Sequence, residues 1–423
     1  MNNLYIYAPS KKLGHRDLTE SNLIEELEEN NTTWLFNSFA PKLKIKQFQI
    51  FKINFIRYFI WYFLFHLKNY EHSIRVKKLK EYPFLGVGFF AKKTIKTIRF
   101  LKLHFLVIIF LDLLLKISIP KSIKLQEKSK LILFGTSQDL LLDDLVYAAN
   151  KKNIKSYLIF LNWDSAITKP LLCKPTFLVT WGKQTCRLAK KIHKINTLNI
   201  GSLRHEIYLN KNFKQLDLDN FSIQNNISKD INYYLFAGCG VPFAEKELMK
   251  ILNNIIEKYN LNIKIIYKPH PYAWVRKNEE NIDLKKLKNI KIYNFEKNDF
   301  QVNPFLFKII KGLITPYSSM MIDASFNKIP TLAVGYDSIQ HRESDWVQYR
   351  SNIHLISFKR NPFIIHCLDK DSIEDLFLKF IDNSNSKTVS KNYERYIKQI
   401  VYFDEMTYFA RIKKIVGLDN NEK

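Results

Sequence analysis

Cysteine is scarce in this 423-residue chain: four residues, at 173, 186, 239 and 367, with neither paired nor metal-type spacing. That excludes a disulfide framework and a clustered zinc site, and points to a reducing, cytoplasmic compartment. Glycine (11) and proline (13) are also few, which excludes collagen-like and low-complexity chains and predicts long elements joined without Gly/Ser linkers. An uncharged apolar run long enough for a membrane span, about 20 residues, is missing too. The best candidate, 101–119, carries Lys102, His104, Asp112 and Lys116, and charges at such depth are too costly for a spanning helix. No secretory apolar region follows Met1, consistent with a cytoplasmic chain.

Acidic residues are outnumbered, 40 against 66 Lys and Arg, for a formal charge of +26, while 46% of residues are hydrophobic. The apolar content excludes a disordered chain, and the length suits two domains with substantial cores. The charge is unevenly spread. Residues 42–128 hold 19 Lys and Arg against four acidic residues, a local +15, whereas 233–385 carry only +4. The basic block interleaves its cations with Phe, Tyr, Trp, Ile and Leu in helix-length stretches such as 55–67. Such a pattern predicts amphipathic helices inserted into the first domain, which could rest on an anionic membrane surface.

Around that block the pattern is α/β. Apolar runs at 3–8 and 33–39 flank an acidic helical stretch, 19–30, and from 129 strands and helices alternate. This rhythm predicts a parallel sheet covered by helices. The expected plan is an N-terminal Rossmann-like domain over 1–210, a linker over 211–232, a second Rossmann-like domain over 233–385, and C-terminal helices over 386–423 that return to the first domain.

In such sheets ligands bind beyond the strands' carboxyl ends, and three candidate loops lie there in the second domain. Lys268-Pro269-His270-Pro271 brings a cation and an imidazole to the end of an apolar strand, held by two prolines. Ser318-Ser319 stand at the start of a helix, where hydroxyls and unpaired N–H groups suit phosphate, and Asp323, four residues on, can accept hydrogen bonds from sugar hydroxyls. Gly238-Cys239-Gly240 permits a tight turn and close backbone approach, although it is not a dinucleotide fingerprint. In the first domain Asp139 and Asp164 sit at strand ends as candidate general bases, Asp139 also being placed to cap the helix that follows. Asp143 and Asp144 fall inside that helix and read as solvated. No histidine spacing suggests a metal site, and no recognised nucleic-acid motif is present.

Taken in order, Asn162-Trp163-Asp164-Ser165 with Lys169, Val179-Thr180-Trp181-Gly182-Lys183, Asn199-Ile200-Gly201-Ser202 with Arg204, Lys268-Pro269-His270-Pro271, and Ser318 to Ala324 with Lys328-Ile329-Pro330-Thr331 resemble bacterial surface-polysaccharide transferases of the GT-B fold. Within these the chain looks like the group around CDP-glycerol glycerophosphotransferases and capsule glycosyltransferases, over about residues 130–340. The His-Pro and Ser-Ser pair is also similar to bacterial sialyltransferases, whose acidic motif is not matched here because Asp143-Asp144 is followed by Leu145.

The resemblance implies two Rossmann-like domains facing a cleft and a metal-independent glycosyltransferase with no cofactor. Its donor would be a nucleotide-activated sugar, CMP- and CDP-linked forms included, and its acceptor a surface glycan or lipid-linked glycan at the inner membrane face. His270 with Ser318 and Ser319 would then contact donor phosphate, and Asp323 the ribose. The competing expectations are a CDP-glycerol-type polyol-phosphate transferase, a nucleotide-sugar epimerase of the same fold, and a non-catalytic basic module that binds lipid or nucleic acid.

Overall fold

The computed structural model describes residues 3–9, 17–19, 21, 23–28, 32–38, 45–76, 89–135, 139–209, 215–239, 243–270, 283–293, 299–336, 353–361, 363–385 and 393–418. The chain divides into two compact units, Met1–Arg204 with Lys398–Lys423, and His205–Ile397.

The first unit begins with β1 (Leu4–Tyr7), α1 (Leu23–Glu28), β2 (Thr32–Asn37) and β3 (Phe48–Phe51). The basic block then forms three helices, α2 (Phe55–Arg75), α3 (Phe89–Phe100) and α4 (His104–Ile117). The α/β rhythm resumes with β4 (Lys130–Gly135), α5 (Leu140–Lys151), β5 (Lys155–Phe160), α6 (Ser165–Thr168), β6 (Phe177–Thr180), α7 (Lys183–His193) and β7 (Asn196–Asn199). All seven strands are parallel, in the order β3-β2-β1-β4-β5-β6-β7. Because side chains alternate across a strand, Tyr5, Tyr7, Leu131 and Leu133 enter one apolar cluster while Leu4, Ile6, Ile132 and Phe134 enter another. Both faces are therefore buried, which is why these strands are apolar throughout.

The second unit contains most of α8 (Leu203–Leu209), then α9 (Gln215–Gln224), β8 (Asn232–Ala237), α10 (Glu245–Lys258), β9 (Ile263–Lys268), β10 (Ile290–Ile292), α11 (Asp299–Ile309), β11 (Gly312–Thr315), α12 (Met320–Phe326), β12 (Thr331–Val334), α13 (Ile356–Lys359), β13 (Ile364–Cys367) and α14 (Ile373–Asn385). Its six strands are again parallel, in the order β10-β9-β8-β11-β12-β13. Residues 215–224, which the sequence assigns to a linker, are helical, and Phe221 packs with Tyr233, Leu235 and Phe307 of this unit. After α15 (Tyr393–Ile400), α16 (Tyr408–Val416) packs Tyr408, Ile412 and Val416 against Leu4 and Ile6 in the first unit. The buried Arg411 fixes this segment by donating to the Ile200 carbonyl at 2.7 Å and to Asp404 at 2.9 Å.

One expectation fails in α5. Asp143 and Asp144 are not solvated: they are 1% and 3% exposed, because α2 and α4 cover their face of the helix. Arg57 donates from Nε to both Asp144 carboxylate oxygens, at 3.1 and 3.0 Å, and from NH2 to the Leu115 carbonyl at 2.9 Å. Trp61 Nε1 donates to Asp143 at 2.7 Å, and the Cys173 thiol donates to its other oxygen. Further along, Asp112 of α4 accepts from Lys68 of α2 at 3.2 Å and from Tyr147 of α5 at 3.0 Å. The basic block is thus attached through buried polar contacts as well as apolar packing.

Removing one partner of a buried ion pair strands the other charge, a cost of about 3–5 kcal/mol. Arg57→Ala should therefore destabilise the chain by about that amount in denaturant unfolding, and an unchanged midpoint would show that the pair does not hold the block. Burial pushes the Asp143 carboxyl up from 3.8 to about 7, opposed by its Cys173 and Trp61 hydrogen bonds. The folded state then keeps a proton that the unfolded state loses, so this group's contribution to stability falls as pH rises from about 4 to about 7. Asp143→Asn should flatten that part of the stability–pH curve relative to the parent protein.

Candidate functional site

The strand order of the second unit reverses between β8 and β11, so the connections from these two strands leave in opposite directions and open a crevice at their carboxyl ends. Three loops meet at this edge. The first, after β8, begins at Gly238, whose N–H donates to the Lys268 carbonyl at 2.9 Å. A Cβ at Gly238 would stand 2.5 Å from Glu245 Oε1 and 2.7 Å from the His270 nitrogen. Only glycine allows the chain after β9 to pass this close. Behind the loop the buried Glu245 accepts from the Cys239 N–H at 3.2 Å and the Tyr267 hydroxyl at 2.7 Å.

The second loop carries His270, partly buried, two residues beyond β9 and against Gly238. The third follows β11. Thr315 Oγ1 lies 2.7 Å from the Ala237 carbonyl and 2.8 Å from Ser318 Oγ, which ties this turn to the end of β8. Ser319 is exposed immediately before α12, and its side chain makes no capping hydrogen bond. Tyr317 is buried beneath the turn and stacks on His366, its hydroxyl 2.8 Å from Nδ1. His366 Nε2 contacts the Phe358 carbonyl, an obligate acceptor, at 3.2 Å. Nε2 therefore carries the proton and Nδ1 accepts from Tyr317. Burial pushes this imidazole below its usual pKa, in keeping with a neutral ring.

Gly238, His270, Ser318 and Ser319 therefore share one sheet edge. Two other candidates are engaged elsewhere. Lys268 ends β9 with its side chain on the face covered by α11, where Nζ donates to Asn303 Oδ1 at 2.9 Å. Asp323 is 2% exposed and accepts from the Tyr208 hydroxyl at 3.0 Å, with His205 Nε2 at 3.5 Å. Its place one turn after Ser319 puts it on the inner side of α12. Gly240 and Pro271 lie outside the described residues. Glu245, Asn303, Thr315 and His366 support the edge without having been singled out in the sequence. Apart from the Thr315–Ser318 contact within one turn, their partners are 6 to 78 residues distant, so no local motif marks them.

In the first unit Asp139 caps α5, accepting from the Leu141 N–H at 3.0 Å, and Asn37 Nδ2 lies 3.4 Å from its other oxygen. Burial and the Asp139 charge hold the neighbouring Tyr7 hydroxyl protonated. Asp164 is half-buried beyond β5 and accepts from Thr168 Oγ1 at 3.0 Å. The short α6 that follows it is anchored by two stacked imidazoles: His72 Nε2 contacts the Ile167 carbonyl at 2.6 Å and His193 Nε2 the Ala166 carbonyl at 2.9 Å. The Trp181-Gly182 motif is structural. Trp181 Nε1 donates to the Phe160 carbonyl, and a Cβ at Gly182 would lie 2.2 Å from the Ile400 carbonyl oxygen. Among the described residues no group of three or more His, Cys, Asp or Glu is placed to hold a metal ion.

No protein-family model and no curated protein matches the chain. Solved structures do. A UDP-GlcNAc 2-epimerase from Methanocaldococcus jannaschii superimposes with a TM-score of 0.53 at 14% identity, covering 98% of this chain and 99% of that one. The wall teichoic acid polymerase TagF, soaked with CDPG, gives 0.51 at 12% identity over 99% of this chain and 88% of its own. The chain has the GT-B fold. A third GT-B structure, S. aureus MnaA with UDP, gives 0.50 at 10% identity over 98% and 95%. At these identities the shared property is the fold, in which the edge formed by Gly238, His270 and Ser318 belongs to the C-terminal Rossmann-like unit.

The contact at Gly238 has a measurable consequence. Gly238→Ala forces a Cβ into two groups that cannot both retreat, so it should lower stability by about 1–3 kcal/mol. Equal thermal unfolding of the variant and parent would show that the β8 and β9 loops are not held together in this way.

Proposed function

We propose that this chain is a GT-B transferase that moves a sugar from a nucleotide-activated donor to a surface-polysaccharide or lipid-linked glycan acceptor. The observation that carries the reading is the convergence of Gly238, His270, Ser318 and Ser319 at the strand-order reversal of the second unit. Loops at such a reversal are where α/β sheets bind nucleotides. The imidazole and the two hydroxyls donate to a phosphate's oxygens, and the buried Gly238, Thr315 and Glu245 keep the loops in place.

In the proposed reaction the bond between the sugar anomeric carbon and the donor phosphate breaks, and its electron pair leaves with the phosphate. The acceptor oxygen forms the new bond to that carbon and gives up its proton to a carboxylate base. Asp164 suits this role better than Asp139, which is committed to capping α5. His270, donating a hydrogen bond, offsets the charge on the departing phosphate. Lys268 and Asp323 serve the site indirectly, Lys268 by bracing the end of β9 against Asn303 and Asp323 by holding α12 through Tyr208.

A second reading, transfer of a polyol phosphate from a CDP-linked donor, is supported by the likeness to TagF, whose structure was soaked with CDPG. Likeness to UDP-GlcNAc 2-epimerases supports a third, epimerisation of the free donor. The three differ in what accumulates. Either transferase consumes donor only when acceptor is present, and the two differ in whether a donor phosphate is found in the product, whereas an epimerase converts donor alone.

The first test is thermal unfolding with UDP, CDP, CMP, GDP and ADP at millimolar concentration. A ligand present at about 100 times its Kd stabilises by about 2.7 kcal/mol, which raises Tm by several degrees. No shift with any of the five overturns the nucleotide assignment. With the bound nucleotide known, His270→Ala should reduce turnover at least about 100-fold, the range of a lost electrostatic donor, while folding remains intact. Near-parent turnover would remove His270 from the reaction.

A further inference from the structure

The basic block exposes an apolar face that nothing within the chain covers among the described residues. On α4, Phe105, Leu106, Ile109, Phe110, Leu113 and Ile117 are 50–72% exposed. Their spacing places them along one side of the helix, and the opposite side supplies Leu115 to the core. The N-terminal turns of α2 continue this face. Arg57 joins Leu115 and Ser118 at the end of α4, and its neighbours Phe55, Ile56 and Phe59 are 79%, 71% and 55% exposed. Cations flank these helices in the chain. Lys52 precedes α2, Lys102 precedes α4 and Lys121, Lys124 and Lys128 follow it, all exposed, and α3 presents Lys92, Lys93, Lys96 and Phe100 around an open groove of about 500 Å³. Among the described residues, no helix of the chain is long and apolar enough to cross a membrane.

We propose that this face docks on an anionic lipid surface, with the α4 ridge and the first turns of α2 inserted among the acyl chains and the flanking lysines against lipid phosphates. Charge complementarity selects lipid over a second copy of the chain. A two-fold interface would bring two +15 blocks together, whereas an anionic leaflet attracts each Lys or Arg near its surface. Attachment of the block through Arg57–Asp144 and Trp61–Asp143 makes the face a rigid platform on the first unit. The proposal is independent of the donor chemistry, since it concerns where the protein sits and not what it transfers.

The test is co-sedimentation of the full chain with vesicles of phosphatidylcholine containing about 30% phosphatidylglycerol, beside pure phosphatidylcholine, with solution mass measured by sedimentation equilibrium. Binding to the anionic vesicles and a monomeric protein in solution are expected. The variant Phe105→Ser, Leu106→Ser, Phe110→Ser removes only exposed side chains, so it should keep the parent's Tm. It should lose at least about tenfold in vesicle affinity, since three apolar side chains no longer leave water on docking. Absence of binding to anionic vesicles overturns the proposal, as does a stable dimer that the triple variant converts to monomer. Nucleotide binding would be unaffected by either failure, which separates this surface from the site at His270.

Discussion

The reversal of strand order between β8 and β11 is the constraint on which the candidate site depends. Helices following neighbouring strands on opposite faces of the sheet cannot fill the space directly above the carboxyl ends at the reversal. Whatever lines that space must come from the loops after β8, β9 and β11, and the chain uses each of them: a glycine, an imidazole and a pair of serines. The loops are positioned from below by polar contacts within the sheet edge, Thr315 to the Ala237 carbonyl and Glu245 to the Cys239 N–H. A buried carboxylate without donors would cost several kcal/mol, so Glu245 holds the loop conformation that satisfies it.

Much of this was legible in the sequence. The apolar runs 130–135, 156–161, 233–237 and 262–267 are almost wholly buried strands, and continuous apolarity is what a two-sided parallel sheet requires. The positions of the loops at strand ends follow directly. Side-chain direction does not. Lys268 and His270 are two residues apart, yet the first turns beneath the sheet toward Asn303 while the second reaches the edge. Asp323 shows the same difficulty on a helix. Spacing from Ser319 allowed a common face, but Tyr208 and His205, more than 100 residues earlier, claim the carboxylate. Such partners lie far off in sequence and leave no local signal.

Asp143 and Asp144 were misread for a related reason. In isolation α5 places two carboxylates among apolar residues, and adjacent charges usually mark a solvated face. Their partners are Trp61 and Arg57, in a block that interrupts the α/β pattern between β3 and β4. An inserted block cannot be docked by periodicity alone, since neither its own sequence nor that of the sheet names the surface between them. The edge strand β3 was missed similarly: its exposure pattern, with only Phe51 buried, lacks the apolar continuity of a central strand.

A composition rich in lysine could arise without any selection for a surface, since exposed positions tolerate whichever polar residue is most abundant. The block 42–128 does not fit that account. Abundant lysine should fill the outward positions of α4 first, for they face water and make no core contacts. Those positions instead hold Phe105, Leu106, Ile109, Phe110, Leu113 and Ile117, with Lys116 paired to Asp112, while other lysines stand before and after the helix, at 102, 121 and 124. Apolar patches of this extent are rare on monomeric soluble proteins because they favour association. Keeping the apolar residues outward costs solubility and contributes nothing to the fold. This is the distribution that the proposed docking calls for, since the interfacial region of an anionic bilayer pairs a charged rim with an apolar interior.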